Sequence, residues 1–214
     1  KIPVVIQENP LSKLGFICSL LFDQKRPENL ALVTGTNGKT STVNFARQIW
    51  TALGHQSCSV GNLGGVCSDG TLVWDRDPVL SVPETVFMHK MLTKLAQKGI
   101  DYVAMEATSH ALFDYRLHHS KANIGAFCNL TRDHLDFHQT MQEYFRVKML
   151  LFTEVLPRGS KAVLNADSDH FEPAYEICKS FEHQIITYGR NGKDIKLIDT
   201  ETTDSGQKLH LLVY

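Results

Sequence analysis

The 214-residue sequence has almost no net charge: 22 Lys and Arg stand against 23 Asp and Glu, leaving −1. Nothing in that balance draws the chain to nucleic acid or to an anionic membrane surface, and neither is expected as a partner. Long apolar runs are missing too. The longest covers 15–22 and contains Cys18 and Ser19, far short of the roughly 20 residues of a transmembrane helix. Cysteine is sparse: the five, at 18, 58, 67, 128 and 178, include no CxxC pair. That spacing excludes a zinc ribbon, and the odd number argues against a secreted disulfide framework. A cytoplasmic location is expected. Repeats and low-complexity tracts are also lacking, while 43% hydrophobic residues supply a packed core, which excludes disorder. The chain opens at Lys1 with no Met or signal-like segment and stops at Tyr214 inside the strand-like run LHLLVY. It is therefore expected to be a piece of something larger.

What is present is a rhythm. After the extended start IPVVI, Leu11, Leu14, Ile17 or Cys18, and Leu21 recur at helical spacing over 11–23, before the polar break QKRPEN. Residues 1–28 are expected to be the end of a preceding domain plus a connecting helix. From Asn29 the pattern changes to the short apolar runs NLALVT, IDYVAME, NIGAFCN, KAVLNA and QIITY. Between them, amphipathic helices are predicted over 41–53, 85–98, 141–156 and 169–181. Gly54 and Gly99 fall where helices stop, and Pro157 ends the third. Such alternation predicts an α/β fold over 29–214, with a mainly parallel sheet covered by helices on both faces and ligands at the carboxyl ends of the strands. From Asp194 the strands alternate around Asp204, Ser205 and Gly206, the pattern of a small antiparallel appendage.

NLALVT runs directly into Gly35, Thr36, Asn37, Gly38, Lys39, Thr40 and Ser41, and a helix opens at once. Strand, glycine-rich turn and helix N-terminus are the parts of a phosphate loop: backbone N–H groups and the helix end meet an oxyanion, Lys39 the β and γ phosphates, and the Thr40 hydroxyl a Mg²⁺ ion. The spacing is GxxGKT rather than GxxxxGK[ST], because Val33 lies six residues before Lys39. A plain strand-turn-helix junction is the alternative.

Glu106 ends the run IDYVAME, so it would share the loop's sheet edge and could hold Mg²⁺ against phosphates. Its alternative role is a charge at a helix N-terminus. NIGAFCN delivers Asn129 and then a polar run with His134 and His138 four residues apart. On one helix these two would make a metal pair. No HExxH glutamate accompanies them, and Asp133 and Asp136 resemble caps, so a zinc protease is not expected. Lys148 falls within the apolar stripe of the 141–156 helix. A lysine withdrawn from water favours its neutral amine, which can capture CO₂ as a carbamate and so become an anionic metal ligand. The alternative is a lysine that snorkels to the surface. His118 and His119 read as solvated loop residues, Trp50 as core and Cys128 as packing.

Taken together, TGTNGKTS (34–41), MEATSHAL (105–112), NLTRDHLDFHQTMQEYFRVKMLLF (129–152) and AVLNADSD (162–169) resemble the ATP-binding central domain of the Mur ligase family. The likeness is strongest to the branch that extends UDP-N-acetylmuramoyl-L-alanyl-D-glutamate. It implies a P-loop NTPase-like fold and a cytoplasmic, monomeric ATP-dependent amide ligase of peptidoglycan synthesis. The implied partners are the UDP-MurNAc-dipeptide and an amino acid such as meso-diaminopimelate or L-lysine, and the implied cofactors are ATP and Mg²⁺. Residue by residue, the resemblance assigns Lys39 and Thr40 to ATP and Mg²⁺, Glu106 and His134 to the metals, and a CO₂-derived carbamate on Lys148 to a second Mg²⁺. Ser81, Thr108 and Arg116 are assigned to the nucleotide-sugar peptide. Two positions depart from the family pattern. Ser81, Val82 and Pro83 stand where Thr-Thr-Pro is common, and Asp114 where glutamine is common. Another Mur-type ligase, folylpolyglutamate synthase and a non-catalytic nucleotide-binding module are the alternatives, and the piece alone is expected to be inactive as a ligase.

Overall fold

The computed structural model describes residues 4, 6–22, 25–75, 80–204 and 206–214. The run NLALVT forms β1 (Asn29–Thr34), buried from Leu30 onward. Unbroken burial is what a strand covered on both faces requires, and it explains why the run does not alternate polar and apolar residues. The other four apolar runs become β5 (Tyr102–Glu106), β6 (Ile124–Phe127), β7 (Lys161–Asn165) and β8 (Gln184–Gly189). All are parallel neighbours in the order β8-β7-β6-β1-β5.

The predicted helices are found as α2 (Lys39–Ala52), α3 (Thr85–Gln97), α6 (Met141–Leu150) and α7 (Phe171–Ser180). The third does not stay α-helical to residue 156: its last turn, Leu151–Val155, widens to π geometry and buries Leu151, Phe152 and Val155. Short α4 (Ser109–Phe113) and α5 (Leu135–His138) were not signalled, because four or five residues show no helical period. Ahead of the sheet, α1 (Pro10–Leu21) starts with Pro10 at its first turn and Asn9 Oδ1 accepting the Ser12 N–H at 3.3 Å. It packs on α3. Most of the extended start IPVVI lies outside the described residues, as do Asp23 and Ser205.

Residues 57–74, for which the sequence suggested no elements, form β2 (Ser57–Gly61), β3 (Gly64–Cys67) and β4 (Leu72–Trp74). β2 joins the sheet parallel to β5, while β3 and β4 fold back antiparallel. The Ser, Cys and Gly content of β2 and β3 hides them, since it lacks the β-branched and aromatic enrichment that marks a strand, and the three residues of β4 are too few to show a period. At the opposite edge β9 (Ile195–Thr203) pairs briefly parallel with β8, and β10 (Gly206–Val213) runs antiparallel to β9, forming the expected appendage. Ten strands thus make one sheet among the described residues.

The two faces are covered unequally. Leu30, Leu32, Val103, Met105 and Phe127 join one large core with side chains of α3, α4, α6 and α7. Val33, Ala104 and Cys128 point the other way, toward Val43 of α2, with Trp50 half-buried beside them. Leu92 of α3 is fully buried in the large core. Its replacement by Ala is expected to lower unfolding free energy by about 2–5 kcal/mol, measured by urea denaturation with an unchanged far-UV spectrum.

Candidate functional site

β1, β5 and β6 end side by side, and the chain crosses from one flank of β1 to the other between β5 and β6. A parallel sheet opens a crevice at such a point. Gly35 to Ser41 lies across it. Gly38 caps α2 with φ +88°, a left-handed conformation that a β-carbon would strain, and no side chain caps the helix. The N-terminus of α2 therefore presents its own N–H groups, the arrangement that attracts anions. The loop after β6 holds this turn in place: Asn129 Oδ1 accepts the Asn37 N–H at 3.0 Å, its Nδ2 donates to the Asn37 carbonyl at 3.1 Å, and its carbonyl accepts the Thr36 N–H at 3.1 Å. The Thr36 hydroxyl donates to the Thr131 carbonyl and accepts the Thr131 N–H. Asn129 and Thr131 were not expected as site residues, although an Asn at a strand end followed by Thr two residues on was visible in the run NLT.

Glu106 sits opposite Val33 in the β1–β5 register, at the end of its strand. Only 2% exposed, its Oε1 accepts the Thr40 hydroxyl and the Asn62 N–H, both at 2.8 Å. The bond to Thr40 brings the carboxylate to the loop, and Asn62, also unforeseen, comes from the end of the hidden hairpin. Gly61 just before it is required by space, because a β-carbon there would run into the Glu106 carboxyl. Around these groups lies a cleft of about 390 Å³ lined by Thr36 to Ser41, Asn62, Ser81, Glu106, Thr108 and His134. Lys39 reaches back to the Gly35 and Thr36 carbonyls at 2.9 and 2.8 Å. Burial pushes its pKa down, while Glu106 opposes that shift.

Lys148 does not snorkel. It is 1% exposed and donates to the same Gly35 carbonyl at 2.8 Å, with its Nζ 4.4 Å from the centroid of the Tyr144 ring. It thus lies beneath the loop rather than along the cleft wall. Burial, aided by the charge of Lys39, brings its pKa down to about 7. The neutral amine is then accessible at physiological pH, which is the condition for nucleophilic behaviour.

Several expectations separate here. Ser81 and Thr108 line the cleft, and Thr108 also caps α4 by accepting the Ala111 N–H at 3.2 Å. Arg116 does not line it; its guanidinium donates to Asp114 Oδ2 at 2.7 Å and to the Val82 carbonyl at 3.4 Å, so the two departing positions, 82 and 114, meet on this one residue. His134 and His138 do not share a helix: His134 precedes α5 with φ +50°, whereas His138 is buried and stacked on Tyr144. Their rings instead flank His110, at 5.1 and 6.0 Å between centroids. Asp133 accepts the His134 N–H. His118, read as solvated, is 8% exposed and within 3.2 Å of Glu154, because the turn carrying it folds under the π segment. Cys128 packs as expected, its thiol pKa raised by burial.

Among the described residues no three His, Cys, Asp or Glu side chains converge tightly enough to cage a metal. Mg²⁺ takes one or two protein oxygens and otherwise phosphate and water. The oxygen pair Thr40 and Glu106 fits such an ion. No helix among the described residues is long and apolar enough to cross a membrane.

Comparison with known proteins adds four likenesses. Residues 33–214 match the Mur ligase middle domain family. UDP-N-acetylmuramoyl-L-alanyl-D-glutamate--2,6-diaminopimelate ligase of Bradyrhizobium diazoefficiens is 36% identical over 213 residues, 98% of this chain and 43% of that protein. The chain thus spans about two fifths of the relatives it matches. A solved structure of a ligase of the same description superposes with a TM-score of 0.81 at 23% identity, over 98% of this chain and 42% of that one. Folylpolyglutamate synthase of Mycobacterium tuberculosis, complexed with ADP, gives 0.71 at 14% identity, over 96% of this chain and 52% of that one. These last two likenesses concern the fold.

The Lys148 pKa makes a pH prediction. An unfolded lysine keeps its proton to about 10.5 and the folded one loses it near 7. Between those values the unfolded state binds more protons, so this residue's contribution to stability rises with pH and levels off above 10.5. Urea titrations across the window should show that slope, and Lys148→Met should flatten it.

Proposed function

The chain belongs to the Mur ligase family, and from that membership we propose that it is the nucleotide-binding part of an ATP-dependent ligase that extends UDP-N-acetylmuramoyl-L-alanyl-D-glutamate. Residues 29–214 are the nucleotide-binding unit and 1–28 the exit from a preceding domain, in a cytoplasmic enzyme. The observation that carries the reading is the convergence of the Gly35 to Ser41 turn, the Lys39 amine and the Thr40-bound Glu106 carboxylate on one cleft. A turn of N–H groups and a lysine suit the triphosphate, and a buried carboxylate at the same edge suits its counterion. The ADP complex of the folylpolyglutamate synthase with the same fold supports a nucleotide here.

Thr40, Glu106, His134 and a carbamate on Lys148 would hold Mg²⁺, whose chemistry is to offset phosphate charge. The protein's part in the reaction is positioning and electrostatics. The substrate's D-glutamyl carboxylate attacks the γ phosphorus, the bond to the β-phosphate oxygen breaks, and ADP leaves an acyl phosphate. The incoming amine then attacks the acyl carbon, and the C–O bond breaks to release phosphate. Lys39 and the α2 N-terminus offset the repulsion between the anions in the first step. The Lys148 carbamate forms when the neutral amine bonds to the carbon of CO₂ and loses a proton to solvent. Ser81, Thr108 and Arg116 hold the nucleotide-sugar peptide.

Diaminopimelate is the favoured acceptor, because the Bradyrhizobium relative is named for it. A folate substrate rests on fold likeness at 14% identity and is the weaker reading. The test is ADP release and product mass for the full-length protein with ATP, UDP-MurNAc-L-Ala-D-Glu and diaminopimelate, with folate and lysine as alternatives. Turnover that requires the UDP-MurNAc-dipeptide supports the proposal, and turnover with folate alone overturns it. In the same assay Lys148→Ala is expected to lower kcat on the order of 10²-fold or more, with partial recovery in bicarbonate or short carboxylates. Full activity of that variant would remove the carbamate role.

A further inference from the structure

Cys58 and Cys67 stand apart from the cleft. They are register partners across β2 and β3, both buried, with their sulfurs 3.0 Å apart. Strand geometry explains the closeness. Ser68 donates its N–H to the Ser57 carbonyl, so the next pair along, Cys58 and Cys67, is a non-hydrogen-bonded one; the Cys67 N–H goes instead to the Thr71 carbonyl. Opposed residues of that kind have Cα atoms about 4.5 Å apart and the closest side chains in an antiparallel ladder. That separation lies within the range a disulfide bridges.

We propose that Cys58 and Cys67 are a site of reversible oxidation, closing to a cross-strand disulfide when the protein meets a hydroperoxide. The Cys67 sulfur attacks a peroxide oxygen, the O–O bond breaks, and water (an alcohol, if the oxidant is an alkyl hydroperoxide) departs with the thiol proton, leaving a sulfenic acid on Cys67. The Cys58 sulfur then attacks that sulfur: an S–S bond forms, the S–O bond breaks, and the hydroxyl leaves as a second water with the Cys58 proton. Two thiols thus lose two electrons and the peroxide gains them. A dithiol reductant reverses the step by exchange.

The order of attack follows from the contact. The contact with Cys58, aided by the charges of Lys98 and Arg47 and opposed by burial and Asp69, holds the Cys67 thiol below its ordinary pKa, while the same contact and burial raise that of Cys58. Burial instead raises Cys18, Cys128 and Cys178. A transient bond of this kind is compatible with a reducing compartment. It would also staple the hairpin whose next residue after β2, Asn62, holds Glu106.

The test starts from the unaltered chain. No Lys or Arg lies between Arg47 and Arg76, so trypsin releases both cysteines in the single peptide 48–76. The chain is treated with hydrogen peroxide, alkylated in denaturant and digested without reductant. The expected result is that this peptide loses the mass of two hydrogens and takes up no alkyl group. Alkylatable thiols per chain fall from five to three, and dithiothreitol restores them. Cys178→Ser should leave this behaviour unchanged, and in Cys58→Ser the Cys67 thiol should proceed to sulfinic acid. A peptide that stays doubly alkylated, goes directly to sulfinic or sulfonic acid, or is linked to another cysteine overturns the proposal.

Discussion

Two lysine amines meet on one carbonyl oxygen, that of Gly35. Lys39 comes from the start of α2 and Lys148 from the last turn of α6, 113 positions from Gly35 in sequence, and each donates to that oxygen within 3 Å. Two full positive charges so close in a low-dielectric setting repel strongly. The conflict is relieved by the more deeply buried of the two, Lys148, whose proton is held weakly enough to leave near neutral pH. One carbonyl therefore does two things: it anchors the phosphate-type turn to the helix beneath it, and it helps create the neutral amine on which the carbamate reading depends.

The rest of the site supports that arrangement. Asn129 clamps Asn37 through both ends of its amide, and Tyr144 fills the space between Thr36, His138 and Lys148. On the other side, Glu106 is buried, takes its hydrogen bonds from Thr40 and the Asn62 backbone, and interacts with the charge of Lys39. A buried carboxylate whose hydrogen bonds come from neutral donors keeps a capacity for a cation, and this one faces a cleft walled by a helix N-terminus. Positive and negative groups are thus segregated across a few ångströms, the pattern that suits a polyanion carrying its own counterion.

Much of this was legible in advance because it is local. The five continuous apolar runs could only be buried strands, the four helices carry a 3.6-residue period, and the turn at 35–41 announced itself by glycine, lysine and threonine between strand and helix. The β2–β4 hairpin was not legible, since SCSVG and GGVC carry one valine each among Ser, Cys and Gly, and its contribution to the cleft, a backbone N–H, has no side-chain signature. His118 was misread for the opposite reason: a polar, histidine-rich turn looks solvated until a distant helix covers it. The helical pairing of His134 with His138 failed because α5 begins one residue too late to include the first.

The near absence of net charge over the whole sequence says nothing about the field inside the cleft, where a few groups of each sign are gathered. By itself the sequence determined the class of fold, the strand that feeds the turn, and the residue types able to bind phosphate and metal, because periodicity, turn chemistry and strand ends are properties of neighbouring residues. Only the tertiary structure decided that Lys148 is desolvated beneath Gly35, that Arg116 is engaged by Asp114 and Val82, and that Cys58 touches Cys67. Desolvation and contact between distant segments are set by which surfaces pack together, and packing is a property of the whole chain.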